Sequence, residues 1–208
     1  MPPLFINFDA IERVSKHKVL GIILDEKLKY QHHIQYICKK VSKGISILHQ
    51  LRNTVPEFVL KCLYNAHILP HILYCNALWG GTFSTHLQPL FILQKRAVRI
   101  ISKSLYYDHT QPIFKRLKIL KLYDQVKLEV ATYMFKNRNS LDFQRRLHNY
   151  NTRQYDNLIL PRHDLTQYER SISYAGPKLW NSLSNQLKTI TTIKSFRRQY
   201  KKELLTMY

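Results

Sequence analysis

The acidic side chains of this chain are the first groups to consider for catalysis, because clustered carboxylates hold the metal ions of phosphoryl transfer. Such sites place two ions about 3.5–4 Å apart. The aspartates here are scattered, no aromatic-x-Asp-Asp motif occurs, and Asp25-Glu26 is the one adjacent acidic pair. That pair follows an apolar run, so we interpret it as a solvated turn. The sequence therefore predicts no catalytic residue among its acids.

Two histidines have a spacing that could present both imidazoles to one metal ion. His67 and His71 lie four residues apart in a predicted helix. No Glu or Cys completes a ligand set, and Pro70 interrupts the helix between them. We therefore interpret both as core or interhelix hydrogen-bonding residues, and we expect no metal or cofactor in this chain. Three other histidines, His32, His33 and His49, are predicted to be exposed.

The charge balance is the strongest physical signal in the composition. Lys and Arg number 33 against 13 Asp and Glu, a formal net charge of +20. A compact chain with this excess repels itself, which favours a polyanionic partner. Nucleic acid is the leading candidate, since neutralising phosphates releases counterions, and an anionic membrane surface is the alternative.

The basic residues fall in three arcs on different predicted helices. The first two arcs are the predicted nucleic-acid-binding residues, and they could follow a phosphate backbone without reading bases. The first comprises Lys39, Lys40 and Lys43; the second Lys95, Arg96, Arg99 and Lys103; the third Lys194, Arg198, Lys201 and Lys202.

Targeting signals and cysteine content indicate the cellular compartment. No apolar run reaches the ~18 residues of a membrane-spanning helix. The N-terminus lacks the basic and apolar regions of a signal peptide. Three widely spaced cysteines form no CxxC, which favours reduced thiols. We expect an intracellular protein, cytoplasmic or nuclear and not secreted.

The acidic, histidine and basic side chains must be positioned by the fold. The residue pattern predicts a mainly α fold with a small N-terminal antiparallel β-hairpin or sheet. Residues 4–8 and 11–14 are typical of strands around a turn at Asp9-Ala10, and residues 19–24 form a β-branched apolar run. A helical bundle should follow, and then an irregular region with short strands and a C-terminal helix.

Apolar residues at intervals of three and four predict the helices. Thr54 is a candidate cap for the second helix and Asp124 for the fifth, and Pro70 predicts a kink. Short strands are predicted at residues 157–160 and 171–174. The predicted helices cover about residues 34–51, 54–78, 87–103, 111–120, 124–137 and 192–205.

An ordered series of short motifs resembles a known family. The segment 18–30 (KVLGIILDEKLKY), with Ile34, is similar to the region just after the catalytic palm of non-LTR retrotransposon reverse transcriptases of the jockey-like group. Tyr74 with Trp79-Gly80 and the helix 93–101 (LQKRAVRII) also match. Further matches are His109, Pro112, Phe114 and Leu117, then 150–153 (YNTR) and 174–181 (YAGPKLWN).

The resemblance implies three regions. Residues 1–30 resemble the hairpin that grips the primer end, with Leu20 and Gly21 at its centre. Residues 31–137 resemble the helical thumb, which holds the primer–template duplex, and residues 138–208 the connecting region with its C-terminal helix. One departure is Val19, where the family usually has an aromatic residue.

By this resemblance the chain derives from an RNA-directed DNA polymerase whose full-length members use Mg. The palm with its paired aspartates and the fingers are missing here, and they would form an implied partner surface. We therefore expect no polymerase activity from the chain alone, and at most sequence-independent binding of an RNA–DNA hybrid or duplex. The alternatives are a functionless transposon relic, or a domesticated basic helical module that binds protein or anionic membrane.

Overall fold

A computed structural model describes residues 4–6, 9–141 and 157–208. The fold class is confirmed: the chain is mainly α-helical with short antiparallel strand pairs at its N-terminus. Residues 150–153, which carry one of the family motifs, lie outside the described residues. The strands are β1 (Leu4–Ile6), β2 (Asp9–Ile11), β3 (Lys16–Val19) and β4 (Ile22–Asp25).

The strand pairs place the N-terminal turns differently from the sequence prediction. Asp9 and Ala10 belong to β2, where they pair with β1, so the turn predicted at these residues is wrong. The apolar run 19–24 is not one strand either, because residues 20 and 21 turn the chain between β3 and β4. Leu20 and Gly21 both have positive φ, 47° and 83°, which is the geometry of a type I′ hairpin turn.

The described residues contain ten α-helices. The first five are α1 (Gln31–Leu51), α2 (Glu57–His67), α3 (Leu69–Leu73), α4 (Asn76–Trp79) and α5 (Ser84–Ile101). The others are α6 (Thr110–Leu117), α7 (Leu122–Asn137), α8 (Ile172–Ser182), α9 (Asn185–Lys188) and α10 (Ile193–Thr206).

The predicted long helix from residue 54 to 78 is in fact three helices. Pro70 has no N–H to donate and lies in the first turn of α3, so the chain starts a new helix there instead of kinking an old one. Cys75, in the left-handed region with φ 49°, separates α3 from α4. Thr54 is not a cap, since α2 begins after Pro56.

Two further local predictions are corrected. Asp124 lies in the first turn of α7, which starts after Lys121, so it is not the cap. Residues 172–174 are helical because α8 packs its Trp180 against α7 and α10. At the start of α10 the Thr192 side chain is the cap and accepts from the Ser195 backbone N–H.

No strand forms at the described residues 157–160. The Asn181 side chain instead pairs with both backbone groups of Leu158, at 2.8 and 3.0 Å. The Asn181 amide thereby satisfies both backbone polar groups of Leu158.

Helix α7 stands between two apolar cores. The larger core is built from α1 to α6 and includes the fully buried Tyr64 and Trp79. The smaller one joins α7 to α8, α9 and α10 around Phe196. Since both flanks of α7 are covered, this helix is buried on more than one side. The three-region division by residue number stays a prediction.

A buried amide connects the helices of the larger core. Gln94 on α5 is fully buried, and its Nε2 donates to the Tyr64 hydroxyl on α2 and to the Leu120 carbonyl, each at 3.0 Å. Its Oε1 accepts from the Leu122 N–H at 2.8 Å. Burial raises the pKa of Tyr64 to about 12, while the Gln94 hydrogen bond acts in the opposite direction.

Replacing this amide should destabilise the whole bundle. We expect Gln94→Met to lower the free energy of unfolding by about 3 kcal/mol, because it leaves three buried polar groups without partners. Urea denaturation measures the change. Gln88→Met is the matched control: Gln88 is exposed on the same helix and should cost less than about 0.5 kcal/mol. Equal effects of the two variants would contradict the role assigned to Gln94.

Candidate nucleic-acid interface

A polar groove runs between α1 and α5, which pack side by side. It contains two cavities, of about 240 and 190 Å³, and both are lined by His49 and Arg96. The first cavity adds Ser42, Ser46 and Gln50 from α1. The second adds Arg52, Arg99, Ser104 and Tyr106. Two helices thus contribute cationic and hydroxyl groups to one continuous depression.

Hydrogen bonds fix two of the groove's guanidinium groups. The Arg52 Nη2 donates to the Ser104 carbonyl at 2.9 Å, and the Arg99 Nε donates to the Asp108 carbonyl at 3.0 Å. Both bonds use neutral acceptors, so the positive charge of each guanidinium stays uncompensated. Arg96 lines both cavities and is exposed.

The segment that builds the groove is almost free of acidic residues. Glu57 is the single acidic residue between Glu26 and Asp108 in the sequence, and its carboxylate pairs with Arg116 at 2.8 Å. Among the described residues, no carboxylate is ion-paired with a groove arginine. The groove therefore presents unneutralised positive charge to solvent.

A third cavity, also basic, lies outside the groove, where the β3–β4 hairpin meets the N-terminal half of α1. It measures about 510 Å³, and its lining includes Lys16, Lys18, His32, Tyr36 and Lys39. The Lys18 ammonium lies 5.3 Å from the centre of the Tyr36 ring, a cation–π contact. This cavity and the groove lie along the solvent side of the same helix, α1. Together they form what we call the basic track, from the hairpin through α1 to the C-terminal end of α5.

The hairpin tip is anchored by Tyr74. Its hydroxyl donates to the Leu20 carbonyl at 2.6 Å, while the Trp79 indole donates to the Tyr74 carbonyl at 2.8 Å. The family-motif residues around the turn and at the α3–α4 junction are thus in direct contact. Gly21 has φ +83° and faces the Tyr74 ring, so a side chain there would be strained.

His33 on α1 contacts the β3–β4 hairpin. Its side chain is buried, so its prediction as an exposed residue is wrong. Its Nδ1 accepts from the Ile23 N–H at 3.4 Å, and its ring meets Trp79 edge-on at 5.8 Å. It packs inward because the apolar stripe of α1 begins at this position. Burial lowers the pKa of His33.

The predicted nucleic-acid-binding residues do not all face the basic track. Arg96 and Arg99 line the groove, and Lys39 lines the hairpin cavity. Lys95 instead lies over the Phe91 ring at 4.5 Å, and Lys40 contacts Tyr36 at 5.6 Å. Lys43 and Lys103 are exposed. The third arc is on α10, which packs against α7.

Some groove residues outside the predicted basic arcs could have been identified from their spacing in the sequence. Ser42, Ser46 and His49 continue the three- and four-residue spacing from Lys39 along one face of α1. Lys16 and Lys18 alternate in β3, which puts both on one face of the strand. Arg52 lies just past the end of α1 and has no such signal, because its position depends on the distant Ser104.

Asp25 of the acidic pair has a structural role, and the two histidines lie on different helices. The Asp25 carboxylate accepts from the Lys29 and Tyr30 N–H groups at 3.0 and 2.8 Å, which fixes the turn before α1. Helix α2 ends at His67, and His71 belongs to α3, so they share no helix. His67 is exposed, which corrects its prediction as a core or interhelix residue. In the described part of the chain, no group of three His, Cys, Asp or Glu could hold a metal ion.

None of the helices in the described part of the chain is both long and apolar enough to span a bilayer.

Comparison with known proteins adds the evolutionary relationship. No family model and no solved structure matches the chain. It is 29% identical to the RNA-directed DNA polymerase from mobile element jockey of Drosophila melanogaster over 136 residues, which are 64% of this chain and 15% of that protein. The Drosophila funebris protein of the same name is 29% identical over 133 residues, 62% of this chain and 14% of that protein. The probable RNA-directed DNA polymerase from transposon X-element of D. melanogaster is 22% identical over 180 residues, 82% of this chain and 20% of that protein.

These relatives belong to one class: the chain is similar to the RNA-directed DNA polymerases of mobile elements. Within that class its similarity is to a segment of the reverse transcriptases of the jockey-like non-LTR retrotransposon group. The family resemblance predicted from the sequence motifs is thereby confirmed. The chain spans a fifth or less of the length of these relatives.

Removing the Tyr74 hydroxyl tests the anchoring of the hairpin. We expect Tyr74→Phe to cost about 1 kcal/mol, the typical net worth of one hydrogen bond, and to speed amide hydrogen exchange in β3 and β4. Mass spectrometry of hairpin peptides measures the exchange. Tyr133→Phe on α7 is the control and should leave hairpin exchange unchanged. Unaltered exchange in Tyr74→Phe would contradict the anchoring role.

The buried imidazole of His33 predicts a pH dependence of stability. Its folded pKa lies below that of the unfolded chain, so the unfolded state binds the proton more readily. Stability is therefore fully present above about pH 6.5, the unfolded pKa, and is lost as pH falls below that value toward the folded pKa.

The measurement is the free energy of unfolding between about pH 7.5 and 5, which brackets the histidine pKa. His33→Gln should reduce the loss of stability at low pH. The loss that remains is assigned to His71, because its pKa is also lowered by burial and by nearby Lys40 and His67. His32→Gln, at an exposed neighbour, should leave the slope intact. An unchanged slope in His33→Gln would contradict the assignment.

Proposed function

We propose that this chain is the duplex-holding part of a jockey-like reverse transcriptase, and that it binds an RNA–DNA hybrid or duplex along the basic track. The observation that carries the proposal is the groove between α1 and α5, where Arg52, Arg96 and Arg99 meet without a paired carboxylate. Guanidinium groups are well matched to phosphate oxygens.

The size of the basic track suits a phosphate backbone. Helix α1 has 21 residues and is therefore about 30 Å long, at 1.5 Å per residue. That length corresponds to roughly nine base pairs at about 3.4 Å each. The groups along it are basic, hydroxyl and amide side chains, which contact phosphate and sugar and carry no direct sequence information. Binding should therefore be independent of sequence.

The chain's own role in this proposal is binding and orientation, with no nucleotide addition. Asp25 is engaged by two backbone N–H groups, and Glu57 by Arg116. Neither acid faces the basic track in a pair that could hold two metal ions. Any carboxylates for metal-dependent chemistry would come from the palm expected by family resemblance.

Removing charge from the groove should weaken binding and reduce its salt dependence. We expect Arg96→Gln to lower affinity for a hybrid of about 12 base pairs by roughly tenfold, and to reduce the slope of log K against log salt by about one. Fluorescence anisotropy between about 50 and 200 mM salt measures both quantities. Lys136→Gln removes an equal charge from an exposed site on α7 and should change neither.

Three outcomes would contradict the proposal. The wild-type protein could fail to bind the hybrid at low salt, its binding could be insensitive to salt, or Lys136→Gln could weaken it as much as Arg96→Gln. Tighter binding to anionic vesicles than to the hybrid would favour a membrane-binding module instead.

A further inference from the structure

Three consecutive large side chains are exposed at the C-terminal end of the basic track. Leu105, Tyr106 and Tyr107, in the loop between α5 and α6, are 73%, 75% and 88% exposed. Single exposed apolar residues are ordinary, but a contiguous group that includes two aromatic rings is typical of an interaction site. The described structure gives these residues no role in either core.

The loop that carries the two tyrosines is held in place by hydrogen bonds. The Asp108 carboxylate accepts from the Leu105 N–H at 2.7 Å, which closes the turn. Arg99 binds the Asp108 carbonyl and Arg52 binds the Ser104 carbonyl, so both ends are fixed to the groove. The backbone that carries the two rings is therefore held in place before any ligand arrives, which reduces the entropy lost on binding.

The aromatic rings continue the cationic groove. Tyr106 lines the same cavity as Arg96 and Arg99, and the Arg99 guanidinium lies 5.8 Å from the centre of its ring. Tyr107 meets Tyr106 edge-on, with 5.2 Å between ring centres. A ligand that follows the groove would thus pass from guanidinium groups onto exposed aromatic faces.

We propose that Tyr106 and Tyr107 form a stacking platform for an unpaired base of the nucleic acid that the groove holds. The inference rests on the proposed function and extends it to a particular substrate, a duplex with a single-stranded overhang. Bases inside a duplex are stacked on one another, so exposed tyrosine rings are available to a base that has left the helix. The neighbouring arginines would hold the phosphates on either side of that base.

The charges around the platform favour nucleic acid over a protein partner. Arg52, Arg96 and Arg99 surround the cavity next to Tyr106. The Asp108 carboxylate in the same loop is engaged by the loop backbone. Aromatic rings beside a phosphate-binding groove are the combination that single-stranded nucleic acid requires.

The test compares a blunt hybrid with the same hybrid carrying a short single-stranded overhang. Two overhang forms are made, one with a 3′ overhang and one with a 5′ overhang. Wild-type protein should bind one overhang form at least about tenfold more tightly than the blunt form. A 2-aminopurine placed in that overhang should change its fluorescence on binding. The double variant Tyr106→Leu, Tyr107→Leu should lose the fluorescence change and the overhang advantage, so that its affinities for the blunt and the overhang hybrid lie within about twofold of each other.

Two matched variants separate stacking from other effects. Tyr106→Phe with Tyr107→Phe keeps the aromatic faces and should keep the overhang advantage. Tyr133→Leu removes an exposed tyrosine from α7 and should also keep it. Circular dichroism and thermal unfolding of each variant check that the bundle is intact, as expected for exposed side chains.

The failures are distinguishable. If wild-type protein binds blunt and overhang hybrids equally, or if the leucine double variant keeps the advantage, the platform is wrong while the duplex-binding proposal stands. If neither hybrid binds, both are wrong. Salt-dependent binding of the blunt hybrid without an overhang advantage would point to a protein partner for the tyrosines instead.

Discussion

The buried amide of Gln94 is the interaction on which the arrangement of the helices depends. It joins α5 to α2 through Tyr64 and to the α6–α7 connection through Leu120 and Leu122. A buried amide with every group paired specifies one geometry, since any shift of a helix would leave a polar group unsatisfied. Because α5 is fixed in this way, Arg96 and Arg99 on its other side are held facing α1.

The basic track is assembled from elements that are each ordinary alone. A solvated basic stripe on one helix is common, and so is a two-residue hairpin turn. Here the hairpin is anchored through Tyr74 and His33, so Lys16 and Lys18 extend the polar face of α1. Arg52 and Arg99 reach across to the loop after α5. The result is one surface whose charge is not neutralised by ion pairs within the described chain.

Local patterns in the sequence predicted the helices with strong apolar periodicity, as in α1, α5 and α10, because one covered face produces that periodicity. They failed where a distant partner decides the structure. Residues 171–174 alternate like a strand, but helix α8 begins at Ile172, and its Trp180 packs against α7 and α10. His33 looked polar and exposed, yet it is buried against Trp79. Arg96 and Arg99 could be proposed from helical spacing, whereas Arg52 depends on a contact 52 residues away.

Lysine footprinting on a nucleic-acid complex tests the central claim, that the basic track holds the duplex, most directly. The protein would be acetylated with and without a hybrid of about 12 base pairs, enough to span the track at about 3.4 Å per base pair, and each lysine quantified by mass spectrometry. We predict protection of Lys16, Lys18 and Lys39, with no change at Lys136 or at Lys194 and Lys202 on α10. Protection confined to α10, or spread evenly over all exposed lysines, would contradict the account.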